Sequence, residues 1–374
     1  MFGTMKNENW PKLSLCMIVK NEEKYLPTAL QSVKDIVNEM IIVDTGSTDR
    51  TVEIAKRNGA IVFPFKWCDD FSQARNFSLD KATGDWILCL DADERIQRSE
   101  LPKIRRTINR SDISAISVIQ RIPQKKGNFI SFKDSEYCRL FRNLAGIRFQ
   151  GRIHEQILPA IQSKNGKIIK SDIIIDHWAY GVTSEKKAKR AERNLSLLLK
   201  DAEENPGEPY ICYNLGITCR ELAKKREAIF WLQKAIENDD CQIKREIIAN
   251  SHLTLSQLFL QGNQIATAEW HADRAFSLNS KNLIPLYVKA TASVCRKDYK
   301  EAVLRLENLI RLLAKENSSS KTIAIDQLWQ ELAGCRAAAG DWQGAQVAFA
   351  SARKWTSKRE EQKMLAFLEN EKVT

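Results

Sequence analysis

The sequence predicts an α/β unit, a mostly parallel sheet with helices on both faces, followed by an all-α unit of helical repeats. Two patterns predict it. In the first half, short apolar and β-branched runs alternate with amphipathic segments, and continuous apolar strands separated by helices imply a parallel sheet covered on both sides. In the second half, one spacing of small and apolar residues keeps returning, as it does when helical hairpins stack. A chain of 374 residues can bury two cores of this kind.

The alternating runs fall at 13–19, 25–37, 40–43, 50–58, 60–63 and 86–90. Gly46 allows a tight turn after the run ending at Val43, Asp49 and Glu53 suit the positive end of the helix that follows, and Gly59 suits its stop. Sheets wound this way bind ligands outside the carboxyl ends of their strands. That places segments 20–23, 44–49 and 91–94 at one edge, with Asp44 closing its strand and facing the crevice. Beyond Asp176-His177-Trp178 the composition shifts to helix formers, beginning with a charged run over 183–201, and Asn205-Pro206-Gly207-Glu208-Pro209 breaks the helix. The expected organisation is a sheet domain over 1–182, a helical linker over 183–206 and a repeat domain over 207–374.

The repeat pattern is that of tetratricopeptides. Leu215-Gly216 fits the first helix of a hairpin, with Ala228, Leu232 and Ala235 in the second. The spacing returns at Ala268, Ala272 and Ala275, more loosely at Ala302, Leu306 and Leu309, and again at Ala345, Phe349 and Ala352. Small residues at these positions let paired helices approach closely, and stacked repeats present concave surfaces to a partner.

Composition narrows the classes. The nine cysteines are odd in number and form no Cys-x-x-Cys pair, which argues against a disulfide framework and a zinc site. No apolar run approaches the length of a membrane span, and the polar first ten residues do not resemble a signal peptide, so a cytoplasmic protein without an integral membrane segment is expected. The net charge is +11, and the stretch from Arg95 to Arg152 holds fourteen Lys and Arg against four acids. It reads either as a solvated basic face or as a surface for a diphosphate, an acidic peptide or anionic lipid. Nucleic acid is not expected, because no nucleic-acid-binding signature accompanies the charge.

The chemistry is concentrated in Asp91-Ala92-Asp93, at the end of Trp86-Ile87-Leu88-Cys89-Leu90. Two carboxylates one residue apart, where a buried strand meets solvent, can hold a divalent cation against a diphosphate and bond a sugar hydroxyl. A strand-ending turn with solvated acids has the same spelling. The upstream company separates the two: Ser14 to Glu23, then Ile41-Ile42-Val43-Asp44-Thr45-Gly46-Ser47-Thr48-Asp49, Ala74-Arg75-Asn76 and Gly84-Asp85-Trp86, in that order.

With these motifs the first half resembles family 2 glycosyltransferases of the nucleotide-diphospho-sugar transferase (GT-A) fold. Trp67-Cys68-Asp69-Asp70-Phe71-Ser72-Gln73-Ala74-Arg75-Asn76, Arg139-Leu140-Phe141-Arg142-Asn143 and Gly151-Arg152-Ile153-His154-Glu155-Gln156, followed by repeats, are similar to the sublancin-type peptide S-glycosyltransferases that modify bacteriocin precursors. Flagellin and lipopolysaccharide-core transferases share parts of the pattern. The resemblance implies a UDP-sugar donor bordered by Met17, Val19 and Glu23, with Asp44 on the uracil, Arg75 on the base or phosphate side and Asp91 on the ribose. It further implies Mn2+ or Mg2+ on Asp93, with His177 as a further metal or diphosphate ligand or, alternatively, a core histidine beside Trp178.

The resemblance also implies inversion at the anomeric carbon, which calls for a base. Glu155 is the candidate, with His154 as its orienting partner or alternate; a cap or an ion pair to Arg152 is the structural alternative. The expected reaction moves a hexose, first choice glucose, to a peptide or protein side chain held partly by the repeats, with cysteine the first choice of acceptor. The rivals are a flagellin Ser/Thr or lipid-linked core-glycan acceptor, and a non-enzymatic interaction scaffold whose transferase half is inactive. A homodimer is among the expected assemblies.

Overall fold

The computed structural model describes residues 10–126, 129–178, 184–237, 245–315 and 324–355. The chain divides into two compact units, Met1–Asp201 and Ala202–Thr374. The first is built on an eight-stranded mixed sheet of β1 (Leu13–Val19), β2 (Glu39–Asp44), β3 (Ile61–Pro64), β4 (Trp86–Cys89), β5 (Glu94–Ile96), β6 (Ala115–Lys126), β7 (Phe129–Arg142) and β8 (Ile168–His177), ordered β3-β2-β1-β4-β7-β6-β8-β5. Its helices are α1 (Leu26–Val33), α2 (Thr51–Arg57), α3 (Phe71–Lys81), α4 (Leu101–Ile108), α5 (Leu158–Ser163) and α6 (Ser184–Glu204).

Period-two alternation along β1 sorts its side chains to opposite faces. Leu13, Leu15, Met17 and Val19 join a core with Leu26, Leu30 and Val33 of α1 and Ile104 and Ile108 of α4. Cys16 goes to the other face, with Leu79 of α3, Ile87, Phe141 and Ile161 of α5. Because both faces are covered, these strands read as continuous apolar runs rather than alternating ones.

β3, β2, β1 and β4 are parallel, which is the half the sequence marks most clearly. Winding proceeds from β1 out to β3 and then returns to the far side of β1, so a crevice opens between the carboxyl ends of β1 and β4. The starts of these strands lie so close that a Cβ on Gly84 would stand 2.5 Å from Ser14 Oγ, which explains the glycine before Asp85-Trp86. In the other half β7 is antiparallel to β4 and β6, β8 is parallel to β6, and β5 is antiparallel to β8.

The second unit is helical: α7 (Pro209–Glu221), α8 (Lys225–Glu237), α9 (Arg245–Gln261), α10 (Ile265–Leu278), α11 (Ile284–Cys295), α12 (Tyr299–Lys315), α13 (Ile325–Ala338) and a helix through 342–355. Pro209 sits in the first turn of α7, and the Glu208 carboxylate caps it by accepting from Ile211 N–H at 2.9 Å. Ala228, Leu232 and Ala235, Ala268, Ala272 and Ala275, and Ala302, Leu306 and Leu309 are all buried as the repeat spacing predicts. In the last helix the register differs: Ala348 and Ala352 are buried, whereas Phe349 is 49% exposed. Residues three apart lie on nearly the same helical face, and the predicted Ala345 and Phe349 stand three positions ahead of the pair that fills the seam. No described helix is long and apolar enough to cross a membrane, and the eight described cysteines are all free.

Candidate active site

The Asp-x-Asp segment is a turn between β4 and β5. Glu94 N–H donates to the Asp91 carbonyl at 3.0 Å, and the Glu94 carboxylate accepts from Asp91 N–H at 2.9 Å. β5 then pairs with β8 so that Glu94 stands opposite His177. This register brings His177 Nε2 to 3.4 Å from Asp93 Oδ2, while Trp178 N–H donates to the Asp93 carbonyl at 2.7 Å. His177 Nδ1 is buried and has no hydrogen-bond partner among the described residues. No cluster of three or more His, Cys, Asp or Glu able to hold a metal assembles among the described residues. A hard divalent cation needs no such cage when phosphates and water complete its shell, so a carboxylate with an adjacent imidazole fits as a partial set.

Beside this pair runs a chain of alternating charges. Asp91 accepts from Arg75 Nη2 at 2.8 Å and from Arg139 Nη2 at 2.9 Å. Arg75 Nε donates to Glu155. Arg139 Nη2 also reaches Glu94 Oε1 at 2.8 Å, and Gln120 Nε2 donates to the same oxygen. Six residues thus converge from α3, the 150–157 loop, the end of β4, β7, β5 and β6.

Burial alone would raise the Asp91 pKa, but the Arg139 and Arg75 guanidiniums outweigh it and hold the carboxyl well below the usual range. For Glu94, fully buried, burial wins and its pKa is raised even beside Arg139. Both arginines are held more firmly protonated than usual: burial disfavours their charge, yet the carboxylates facing them prevail. Arg75 Nη1 and Arg139 Nε are buried with no hydrogen-bond partner among the described residues, and the second oxygen of Glu155 likewise accepts no hydrogen bond there.

The other predicted residues are placed as follows. The Met17 and Val19 side chains lie in the core, so only their backbone can border a ligand, and the Val19 carbonyl already accepts from Thr45 N–H and Oγ1. Asp44 closes β2 with its carboxylate accepting from Gly46 and Ser47 N–H at 3.2 to 3.3 Å. Glu23 lashes two loops together, accepting from Arg50 N–H and Nε at 3.2 and 3.4 Å. His154 is exposed in the left-handed conformation, with φ 54°. Glu155 pairs with Arg75 rather than Arg152, whose partner is Asp201.

Arg139, Glu94 and Gln120 were not anticipated as site residues. Arg139 lies in a motif that the sequence does mark, and Glu94 directly follows the Asp-x-Asp, but only strand register joins them. The basic run proves not to be one patch. Arg105 is buried against the Ile36 carbonyl, Arg110 pairs with Asp112, Arg121 with Asp134, Arg148 with Asp80, and Arg142 bonds the Ile113 carbonyl across Trp86. A cavity of about 520 Å³ between α1 and β5 is lined by none of the predicted site residues.

Residues 14–178 match the family model described as Glycosyl transferase family 2. A TPR repeat-containing protein of Synechococcus elongatus is 36% identical over 232 residues, covering 60% of this chain and 57% of that protein. The SPbeta prophage-derived glycosyltransferase SunS of Bacillus subtilis is 29% identical over 272 residues, covering 70% and 62%. The chain therefore spans about three-fifths of the length of these curated relatives. Among solved structures, MamA aligns at 16% identity and a TM-score of 0.40, over 49% of this chain and 99% of its own.

Proposed function

We infer, from a chain whose residues 14–178 match the family model described as Glycosyl transferase family 2, a metal-dependent inverting transferase that moves a hexose, first choice glucose, from a UDP-sugar to a peptide or protein side chain. The observation that carries this reading is the convergence of Asp91, Asp93 and His177 with Arg75, which is buried, and Arg139, which is partly so, at the carboxyl edge of the parallel strands.

Asp93 and His177 would hold Mn2+ or Mg2+, which when bound supplies positive charge against the nucleotide diphosphate. Asp91, clamped between Arg75 and Arg139, is kept ionised and rigid, and so is suited to accept from ribose hydroxyls. The Asp44 carboxylate retains acceptor capacity beyond the two amides it binds, enough for the N–H of a pyrimidine. Glu155 receives the acceptor's proton on its second oxygen, while Arg75 fixes the first. A cysteine acceptor, with a free pKa of about 8.5, needs only weak assistance from such a base. The peptide acceptor is supported by the helical repeats, since arrays of this kind commonly bind extended chains, and by the resemblance to sublancin-type enzymes.

The test is mass spectrometry of peptides carrying single Cys or Ser residues, incubated with several UDP-sugars and Mn2+. One added hexose is expected. Asp93→Ala should abolish metal-dependent donor turnover while the melting curve stays close to that of the parent. Undiminished turnover in that variant would remove the metal assignment.

A further inference from the structure

The loop that carries Glu155 is gripped from two sides. Gln150 and Gln156 exchange backbone hydrogen bonds at 3.0 and 2.9 Å, closing a tight return in which Gly151 (φ 92°) and His154 (φ 54°) both adopt left-handed conformations. A non-glycine residue with positive φ is costly and persists when its surroundings hold it there. On one side stands α3. Phe71 N–H donates to the Arg152 carbonyl at 2.8 Å, Ser72 Oγ donates to the Gly151 carbonyl, and Asn76 exchanges hydrogen bonds with Phe149 at 2.8 and 3.0 Å.

On the other side stands α6. Asp201, 4% exposed, accepts from Arg152 N–H at 3.0 and 3.2 Å and lies 3.8 Å from Arg152 Nε. One residue earlier, Lys200 Nζ pairs with Asp69 at 2.6 Å, and Arg193 lies over the Phe71 ring at 5.3 Å. Asp69 neighbours Asp70, which caps α3 by accepting from Gln73 N–H at 3.0 Å. The last turns of α6 therefore touch both supports of the Arg75–Glu155 pair: the start of the helix that carries Arg75 and the loop that carries Glu155.

A buried carboxylate costs several kcal/mol unless partners satisfy it. Asp201 finds those partners on the loop, three residues from Glu155 in sequence. We propose that Asp201 is a positioning residue of the transferase: it fixes the 150–156 loop so that Glu155 meets Arg75, which makes α6 part of the catalytic unit. The role in turnover rests on the reading of Glu155 and Arg75 given above; the hold on the loop does not.

Full-length Asp201→Ala and Asp201→Asn separate the two by hydrogen exchange over residues 149–157 and by steady-state kinetics with UDP-sugar, acceptor peptide and Mn2+. Exchange in the loop should accelerate by about tenfold or more, without a matching change in the parallel strands. Misplacing a reacting group should lower kcat by about tenfold or more, with the donor KM within about twofold of the parent. Asp201→Asn keeps the side-chain volume and one acceptor oxygen, so it gives a folded variant of intermediate effect if the alanine form does not fold. Unchanged loop exchange, unchanged kcat, or acceleration spread evenly over the sheet would each overturn the proposal. If the parent protein turns over no UDP-sugar, the transferase reading fails, and loop exchange alone decides whether Asp201 holds the loop.

Discussion

The charged site of the first unit and the helical seams of the second both withdraw side chains from solvent, but by opposite means. The seams bury Ala and Leu, such as Ala228, Leu232 and Ala235, with no charge to satisfy. The crevice buries Arg75 and Glu94 and most of Arg139, each tolerable only because an opposite charge lies within hydrogen-bond reach. Seam partners follow from a spacing repeated locally along the chain. Crevice partners are far apart in sequence: Arg75 meets Glu155 across 80 positions, and Arg139 meets Asp91 across 48. The difference teaches that packing energy can be spread over many interchangeable contacts, whereas a charged site depends on a few that are not.

Arg139→Met should have the largest effect. It leaves Asp91 with one guanidinium and Glu94 with none, and should cost about 3–5 kcal/mol in urea unfolding. A loss below about 1 kcal/mol would show that the crevice charges are not interdependent. In the seam, Leu232→Ala should cost about 3 kcal/mol, because a fully buried side chain leaves a cavity beside Gly216, whose own Cβ would stand only 2.5 Å from Leu232 Cγ. If the seam is as replaceable as argued, Leu232→Met should restore most of that loss.

Smaller effects sharpen the contrast. Burial, then Asp93, Asp49 and Asp91, raises the Glu22 carboxyl to about 7. The folded form thus holds a proton that the unfolded chain releases near 4.5, so this group's stabilisation is complete below that pH and is lost as pH rises toward 7. In chelator, Glu22→Gln should flatten the decline between pH 5 and 7 by on the order of 1 kcal/mol, a value discounted for partial exposure. A parent protein whose unfolding free energy is level across that window would contradict the prediction. Least of all, Phe230→Ser on the outer surface of α8, half exposed, should shift stability by no more than about 0.5 kcal/mol.

Several of these features were legible in the residues. The apolar runs marked β1, β2 and β4 because burial on both faces leaves no polar alternation, and β3, at the sheet edge with Ile61 49% exposed, is marked only by its apolar and β-branched residues. Asp91 and Asp93 were visible because they end such a run. Three of the four repeat seams were legible from spacing. The fourth was misregistered by three positions, since Ala345 and Ala348 are equally small and nearly share a face. β6 and β7 were missed because polar residues such as Arg121, Asp134 and Glu136, which reach solvent from these strands, resemble loop residues. The partners of Arg139 could not be read at all, because a guanidinium in sequence looks the same whether it faces solvent or two carboxylates.

By itself, the sequence determined the class of each unit, the strand that presents the paired aspartates and the seams that stack the helices, since these follow from local periodicity and burial. Only the tertiary structure decided that Arg139 joins Asp91 to Glu94, that Glu155 answers Arg75, and that His177 stands beside Asp93. Those pairings depend on strand register and loop closure across the chain, and electrostatic partners are chosen by distance in space rather than by position in sequence.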